Sequence, residues 1–104
     1  MQFVVIAEHD ADLCPTANAK TREMLVEGAG QMPDLAKKLG VDIITINVFG
    51  PDHVIIAVVE AANIEAVREF VWQSRLIQWN KTRIHATWSM EEAVERLDTL
   101  PTIF

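Results

Sequence analysis

The sequence predicts an α+β fold in which a four-stranded antiparallel sheet is built in the order β-α-β-β-α-β and followed by an extra C-terminal helix. Three observations predict this ferredoxin-like pattern. β-branched apolar segments alternate with segments of helical period. A Gly-Pro-Asp turn at residues 50–52 joins the second and third strands as a hairpin. The length of 104 residues suits one domain, residues 1–104.

The first part of the chain predicts a strand, a turn-rich loop and two helical segments separated by a break. In order, these are residues 2–9, 10–18, 19–29 and 32–39. Gly28 and Gly30 predict the break, because glycine loosens a helix interior. Pro33 suits the first turn of the second segment, since its missing N–H costs nothing there. Gly40 is a natural helix end.

The second part predicts three strands and two helices. The strands are residues 42–49, 53–61 and 81–88, and the helices are residues 63–76 and 90–98. Asn63 is placed to cap the first of these helices, and Ser89 opens a capping box with Glu92 before the second. Crossover rules pair strand 1 with both strand 3 and strand 4, and both long helices then lie on one face of the sheet.

Composition excludes several classes of function. Fifteen acidic residues against nine basic ones give a net charge of −6, so we expect no nucleic-acid partner and no binding to anionic membranes. No signal peptide or membrane span is recognisable, which predicts a cytoplasmic protein. The single cysteine excludes an internal disulfide. Nucleotide-binding, serine-hydrolase and zinc-protease motifs are absent, and no cofactor is expected on the leading interpretation.

Strands 1 and 3 are apolar on both alternations, as in Val4-Val5-Ile6 and Val54-Ile55-Ile56. An antiparallel sheet with one face in water alternates apolar and polar residues, so both faces are predicted to be covered. The chain's helices cover one face, and a second copy is predicted to cover the other as a homodimer. The alternative is that the final helix and the C-terminal tail cover it. Phe104 indicates that the C-terminal tail packs against protein, either on its own chain or on the partner subunit.

The element order, the size and the two-sided apolar sheet resemble the dimeric α+β barrel superfamily. This group includes antibiotic-type monooxygenases, muconolactone isomerase-like proteins, stress-responsive barrel proteins and GYD-type domains. The resemblance covers nearly the whole chain but is architectural, so it carries no catalytic residue with it. It implies a dimer, and it leaves open cofactor-free oxygenases, isomerases, haem-binding proteins and proteins without known activity.

Polar side chains on the outer strands suggest a ligand pocket. Thr45 and Asn47 share an alternation of strand 2, together with Ile43 and Phe49, and His85 lies on strand 4. If these faces coincide, the three polar residues line one cavity between sheet and helices, with His85 as base or ligand. Alternatively, they are solvent-wetted positions at the sheet edges.

Three tryptophans in the last third of the chain, Trp72, Trp79 and Trp88, form a candidate aromatic wall for a planar ligand. Arg83 lies nearby in sequence and suits a carboxylate group. The alternative is plain packing in the core and at a dimer interface.

The densest reactive segment follows strand 1 and contains His9, Asp10 and Cys14. Histidine, carboxylate and thiolate groups bind transition metals or haem iron, although this spacing matches no standard site. The alternative is a solvated acidic loop with a half-buried cysteine. Cys14 near a helix start also suits a thiolate role, which the neighbouring acids oppose. His53, at the hairpin tip, is predicted to be a surface residue.

Three functions therefore remain open. The leading hypothesis is a homodimer that binds a small apolar ligand and acts on it as a cofactor-free monooxygenase or isomerase, with His85, Asn47 and Thr45 as polar contacts. The second is a metal- or haem-binding protein that uses the His9, Asp10 and Cys14 loop. The third is a non-catalytic regulatory or interaction module.

Overall fold

The computed structural model describes all residues, 1–104, and confirms the predicted fold class. The strands and helices, in chain order, are β1 (Gln2–Glu8), α1 (Ala19–Leu39), β2 (Asp42–Phe49), β3 (Val54–Glu60), α2 (Ile64–Gln73), β4 (Lys81–Ala86) and α3 (Met90–Arg96). The sheet has the strand order β2-β3-β1-β4, and every neighbouring pair is antiparallel. The predicted pairing of β1 with both β3 and β4 is therefore correct.

Helix α1 is continuous, so the predicted break between two helical segments is wrong. Asn18 caps its start by accepting a hydrogen bond from the Thr21 backbone N–H at 3.0 Å, and Gly40, in the left-handed region at φ 73°, ends it. Gly28, Gly30 and Pro33 all lie inside. Met24, Leu25, Met32, Leu35 and Leu39 on this helix pack against the core. The helix keeps these contacts only if it continues, and tertiary packing outweighs weak local propensity.

Helix α2 ends three residues earlier than residue 76, its predicted end. Arg75 adopts the left-handed conformation with φ 67°, which stops the helix. A short 3-10 turn at Leu76–Gln78 follows and buries Leu76 and then Trp79. This turn delivers Asn80 to the beginning of β4 as a buried residue.

The core lies between the sheet and the two long helices. One alternation of β1 and β3 points into it, as shown by the paired positions Phe3 with Val59 and Val5 with Ala57. Helix α2 contributes Phe70, and Phe3 and Phe70 are among the largest fully buried side chains. We call this the helix face of the sheet, and its counterpart the open face.

A β-bulge in β2 changes which residues share a face. The pairing with β3 shifts between Ile43 and Thr45, so that Ile43 and Ile46 both lie on the helix face. Thr45, Asn47 and Phe49 lie on the open face, where each is paired with a half-buried residue of β3. The predicted grouping of Ile43 with Thr45 is therefore wrong, because an inserted residue reverses the alternation beyond it.

The open face is apolar at its centre, where Val4 and Ile6 of β1 lie beside Ile56 and Val58 of β3. The C-terminal segment leaves its own apolar side chains exposed instead of packing them onto this face. These side chains are Met90, Val94, Leu97, Leu100, Ile103 and Phe104. The alternative in which the chain's own tail covers the second face therefore has no support in the fold of a single chain.

None of the helices combines the length and the apolar character that crossing a bilayer requires.

Candidate functional site

Three side chains from separate segments meet at one end of the sheet: His9, Cys14 and His53. One ring nitrogen from each histidine and the Cys14 Sγ all lie within 4.8 Å of one another. His9 directly follows β1, Cys14 follows the 3-10 turn Ala11–Leu13, and His53 ends the turn between β2 and β3. We call these three residues the thiol cluster.

The backbone explains why the two histidines meet. The β1–β3 ladder ends with Glu8 opposite Val54, and one further hydrogen bond extends it, from the His9 N–H to the His53 carbonyl oxygen at 3.2 Å. His53 adopts the left-handed conformation with φ 58°, which is uncommon for a non-glycine residue. The two imidazole rings consequently stand edge to face, with centroids 5.4 Å apart.

Asn80 fixes the orientation of the His9 ring. The Asn80 Nδ2 donates to the Leu76 carbonyl oxygen at 3.1 Å, so its Oδ1 points to the His9 Nδ1, 2.9 Å away. An amide oxygen only accepts, so Nδ1 carries the proton and Nε2 of the neutral ring is left with a free lone pair. The buried Trp79 ring packs against the same imidazole, with centroids 5.0 Å apart.

Two ring nitrogens in the thiol cluster have no hydrogen-bond partner. They are Nε2 of His9 and Nδ1 of His53, and both atoms are buried. Buried polar atoms in native proteins almost always have a partner, and an unpaired one costs free energy. Two such atoms therefore lie beside one sulfur with no partner from the chain itself.

Cys14 is only 4% exposed, yet its surroundings favour the thiolate. The Thr16 hydroxyl donates to the Cys14 Sγ at 3.1 Å. Hydrogen bonds from the side chain and then the backbone of Thr16 lower the pKa of the thiol from 9.0 to about 6, against the opposing effect of burial. A thiolate is the form that acts as nucleophile and metal ligand.

The structure separates Asp10 from the other two residues of the predicted metal loop. Asp10 is exposed and precedes the 3-10 turn, where its carbonyl oxygen accepts the Leu13 N–H at 3.0 Å. His53 joins His9 and Cys14 instead, and it is half-buried, so the prediction of a surface residue is wrong. The predicted antiparallel pairing of β1 with β3 is the sequence feature that could have placed His53 beside His9.

The predicted polar triad of Thr45, Asn47 and His85 does not form a common cavity. All three lie on the open face and are exposed, and only Thr45, on the edge strand β2, also borders the cavity between α1 and the sheet. Because β3 and β1 separate β2 from β4, His85 lies about 14 Å across the sheet from the other two. The hypothesis that these side chains converge between sheet and helices is corrected accordingly.

A large apolar cavity does occur between α1 and the sheet, with a volume of about 860 Å³. Fifteen of its 20 lining residues are hydrophobic, with Lys37, Asp42 and Thr45 among the polar remainder. Asn47, His85 and the three tryptophans do not line it. The cavity position matches the predicted ligand pocket, whereas its lining mostly does not.

The predicted aromatic wall is not assembled. Trp79 is buried against His9, whereas Trp72 and Trp88 are 65% and 58% exposed. The Arg96 guanidinium stacks on the Trp88 ring, 4.2 Å from its centroid. Arg83 pairs with Glu8 on the open face at 2.7 Å, so its charge already has a partner within the chain.

No protein-family model matches this chain, and no curated protein shows significant sequence similarity to it.

Proposed function

We propose that this protein binds a transition-metal ion through His9, Cys14 and His53. The observation that carries this proposal is the pair of buried, unpartnered ring nitrogens next to a thiol of lowered pKa. A bound ion would satisfy both nitrogens and the thiolate at once. This revises the metal site expected from sequence by replacing Asp10 with His53.

The donor set selects the class of metal. Imidazole and thiolate suit zinc and copper, whereas calcium and magnesium require oxygen ligands. With metal–ligand bonds of about 2.0–2.3 Å, neighbouring ligand atoms lie about 3.3–3.8 Å apart. The three donors here are within 4.8 Å of one another, so small side-chain rotations bring them onto one ion. Three donors that converge on a point favour a single ion over haem.

Asn80 has the supporting role that metal sites commonly require. Histidine ligands usually donate their second ring N–H to a carbonyl, carboxylate or water, which fixes the ring and raises its basicity. The His9 Nδ1 and the buried Asn80 Oδ1 already have this arrangement. Asn80 is thus a positioning residue that leaves Nε2 directed to the ion.

Titration of the metal-free protein with Co²⁺ tests the proposal. We expect one equivalent to bind with a thiolate-to-cobalt charge-transfer band. Replacing His53 with Asn is expected to weaken binding at least about 100-fold, because asparagine tolerates the left-handed backbone but removes the imidazole. His85→Ala is the matched control and should bind like the wild type. Absence of the band, or equal loss in both variants, would contradict the site.

A second candidate function is supported by the apolar cavity between α1 and the sheet. We propose that it accepts a small apolar molecule, because it is large, mainly hydrophobic and carries few polar groups. Catalysis of the cofactor-free oxygenase or isomerase type would then rely on a cavity group such as Lys37. His85 and Asn47, on the open face, are too distant for that role.

Ala29 lines this cavity from α1, which gives a direct test of the second candidate. The neutral dye N-phenyl-1-naphthylamine is expected to bind with a fluorescence increase. Ala29→Phe should weaken that binding about tenfold by filling the cavity, whereas Val26→Phe, on an exposed part of the same helix, should leave it unchanged. Equal binding by both variants would place the dye elsewhere and refute the candidate.

We also propose that the protein is a homodimer. The open face and the C-terminal apolar side chains are two separate uncovered features of one chain. A two-fold dimer can cover both reciprocally, with the sheets facing each other and each tail reaching the partner. A stable interface buries roughly 800 Å² per partner, and the exposed tail side chains would add their area to that of the sheet.

A further inference from the structure

The thiol cluster also constrains which ion it holds. Resting on the metal site proposed above, we infer that its preferred ion is monovalent copper, Cu(I), bound by three protein ligands without water. Three features of the cluster favour this ion: the number of donors, the net charge of the filled site and its separation from solvent.

The protein offers three donors and no fourth. No further histidine, cysteine or carboxylate belongs to the cluster. The Asn80 amide is occupied by His9 and by the Leu76 carbonyl oxygen, and the Thr16 hydroxyl is directed at the Cys14 sulfur. Protein zinc sites are almost always four-coordinate, so zinc would need a water molecule here. Trigonal coordination by two imidazoles and one thiolate is characteristic of copper.

The charge balance favours a monovalent ion. One thiolate and two neutral imidazoles neutralise Cu(I) completely, whereas a divalent ion leaves one positive charge. That charge would be placed among buried atoms, since Cys14 and both free ring nitrogens are buried. Burying an unpaired charge is costly. Of the acids near these ligands in sequence, Asp10, Asp12 and Asp52 are exposed and outside the cluster, and Glu8 already pairs with Arg83.

The surroundings also limit access by water. A surface cavity of about 440 Å³ reaches His9, Trp79 and Asn80, but neither Cys14 nor His53 lines it. This cavity therefore does not supply water to the fourth coordination position, which zinc would need to fill. A three-coordinate ion enclosed in this way is the arrangement that soft Cu(I) accepts most readily.

Anaerobic competition with X-ray absorption spectroscopy tests this inference. The metal-free protein is loaded with one equivalent of Cu(I), buffered by a chromophoric Cu(I) chelator, and then challenged with a 100-fold excess of Zn²⁺. We expect the copper to be retained, with a spectrum of one sulfur and two nitrogen neighbours. His53→Asn should raise the Cu(I) dissociation constant at least about 100-fold, and His85→Ala should not change it.

The outcomes separate the two proposals. If zinc displaces the copper, or if the bound Cu(I) is two-coordinate and indifferent to His53→Asn, the choice of copper is wrong while a metal site stands. If neither Cu(I), Zn²⁺ nor Co²⁺ binds at one equivalent, the metal site itself is wrong. Cys14→Ser, which removes the thiolate, guards against adventitious binding by surface groups and should abolish the sulfur signal.

Discussion

The single thiol of the metal-free protein is expected to ionise with a midpoint near pH 6, because the pKa of Cys14 is lowered to about 6 from an ordinary 9.0. The largest cause is the hydrogen bond from the Thr16 hydroxyl to the sulfur, at 3.1 Å. Ultraviolet absorbance of the thiolate as a function of pH measures the midpoint directly. Thr16→Ala should raise the pKa, and Thr16→Ser should largely preserve it.

The same pKa shift makes the free energy of unfolding depend on pH. Because the folded pKa is lower than the unfolded one, the thiol's contribution is fully present above the unfolded pKa and is lost as the pH falls through about 6. Metal-free protein should therefore gain stability from this group between about pH 6 and pH 9, relative to Cys14→Ser. A thiol midpoint near 9, unchanged by Thr16→Ala, would refute the proposed environment of the sulfur.

Replacing Ile56 with Asp is expected to convert the proposed homodimer into a monomer. Ile56 lies near the middle of the open face, opposite Ile6 of β1. A carboxylate there would be buried without a partner when two open faces meet, which should weaken dimerisation at least about 100-fold. Sedimentation velocity over a range of protein concentrations measures the change in oligomeric state.

Val26→Asp is the matched control for this variant. Val26 is 69% exposed on α1, on the opposite side of the molecule from the open face. The control should sediment like the wild type, and both variants should retain the circular dichroism of the folded protein. A wild-type protein that remains monomeric at high micromolar concentration would contradict the dimer.

The order of elements and the strand pairing could be predicted from local patterns, because β-branched runs, caps and turn residues agree with the final fold. Two errors have tertiary causes. Gly28, Gly30 and Pro33 weaken a helix locally, but apolar contacts along α1 keep it continuous. The bulge after Ile43 depends on the pairing of β2 with β3, and no local pattern records it.

For the site, proximity in sequence correctly joins His9 and Cys14 but wrongly includes Asp10, which lies exposed outside the cluster. His53 comes from a distant hairpin, and only the extended β1–β3 register brings it to His9. Alternation alone groups Thr45, Asn47 and His85. Alternation specifies a face but not a distance across the sheet, and two strands separate them.

The origin of the three ligands in separate segments has a mechanical consequence for a chain without disulfides. An ion held by Cys14 and His53 closes a loop of about 40 residues that contains α1 and β2, as a covalent bridge of that span would. Such a cross-link reduces the conformational entropy of the unfolded chain only if the ion stays bound during unfolding. The bound ion thus cross-links the hairpin tip to the loop after β1, and a metal chelator can remove this cross-link.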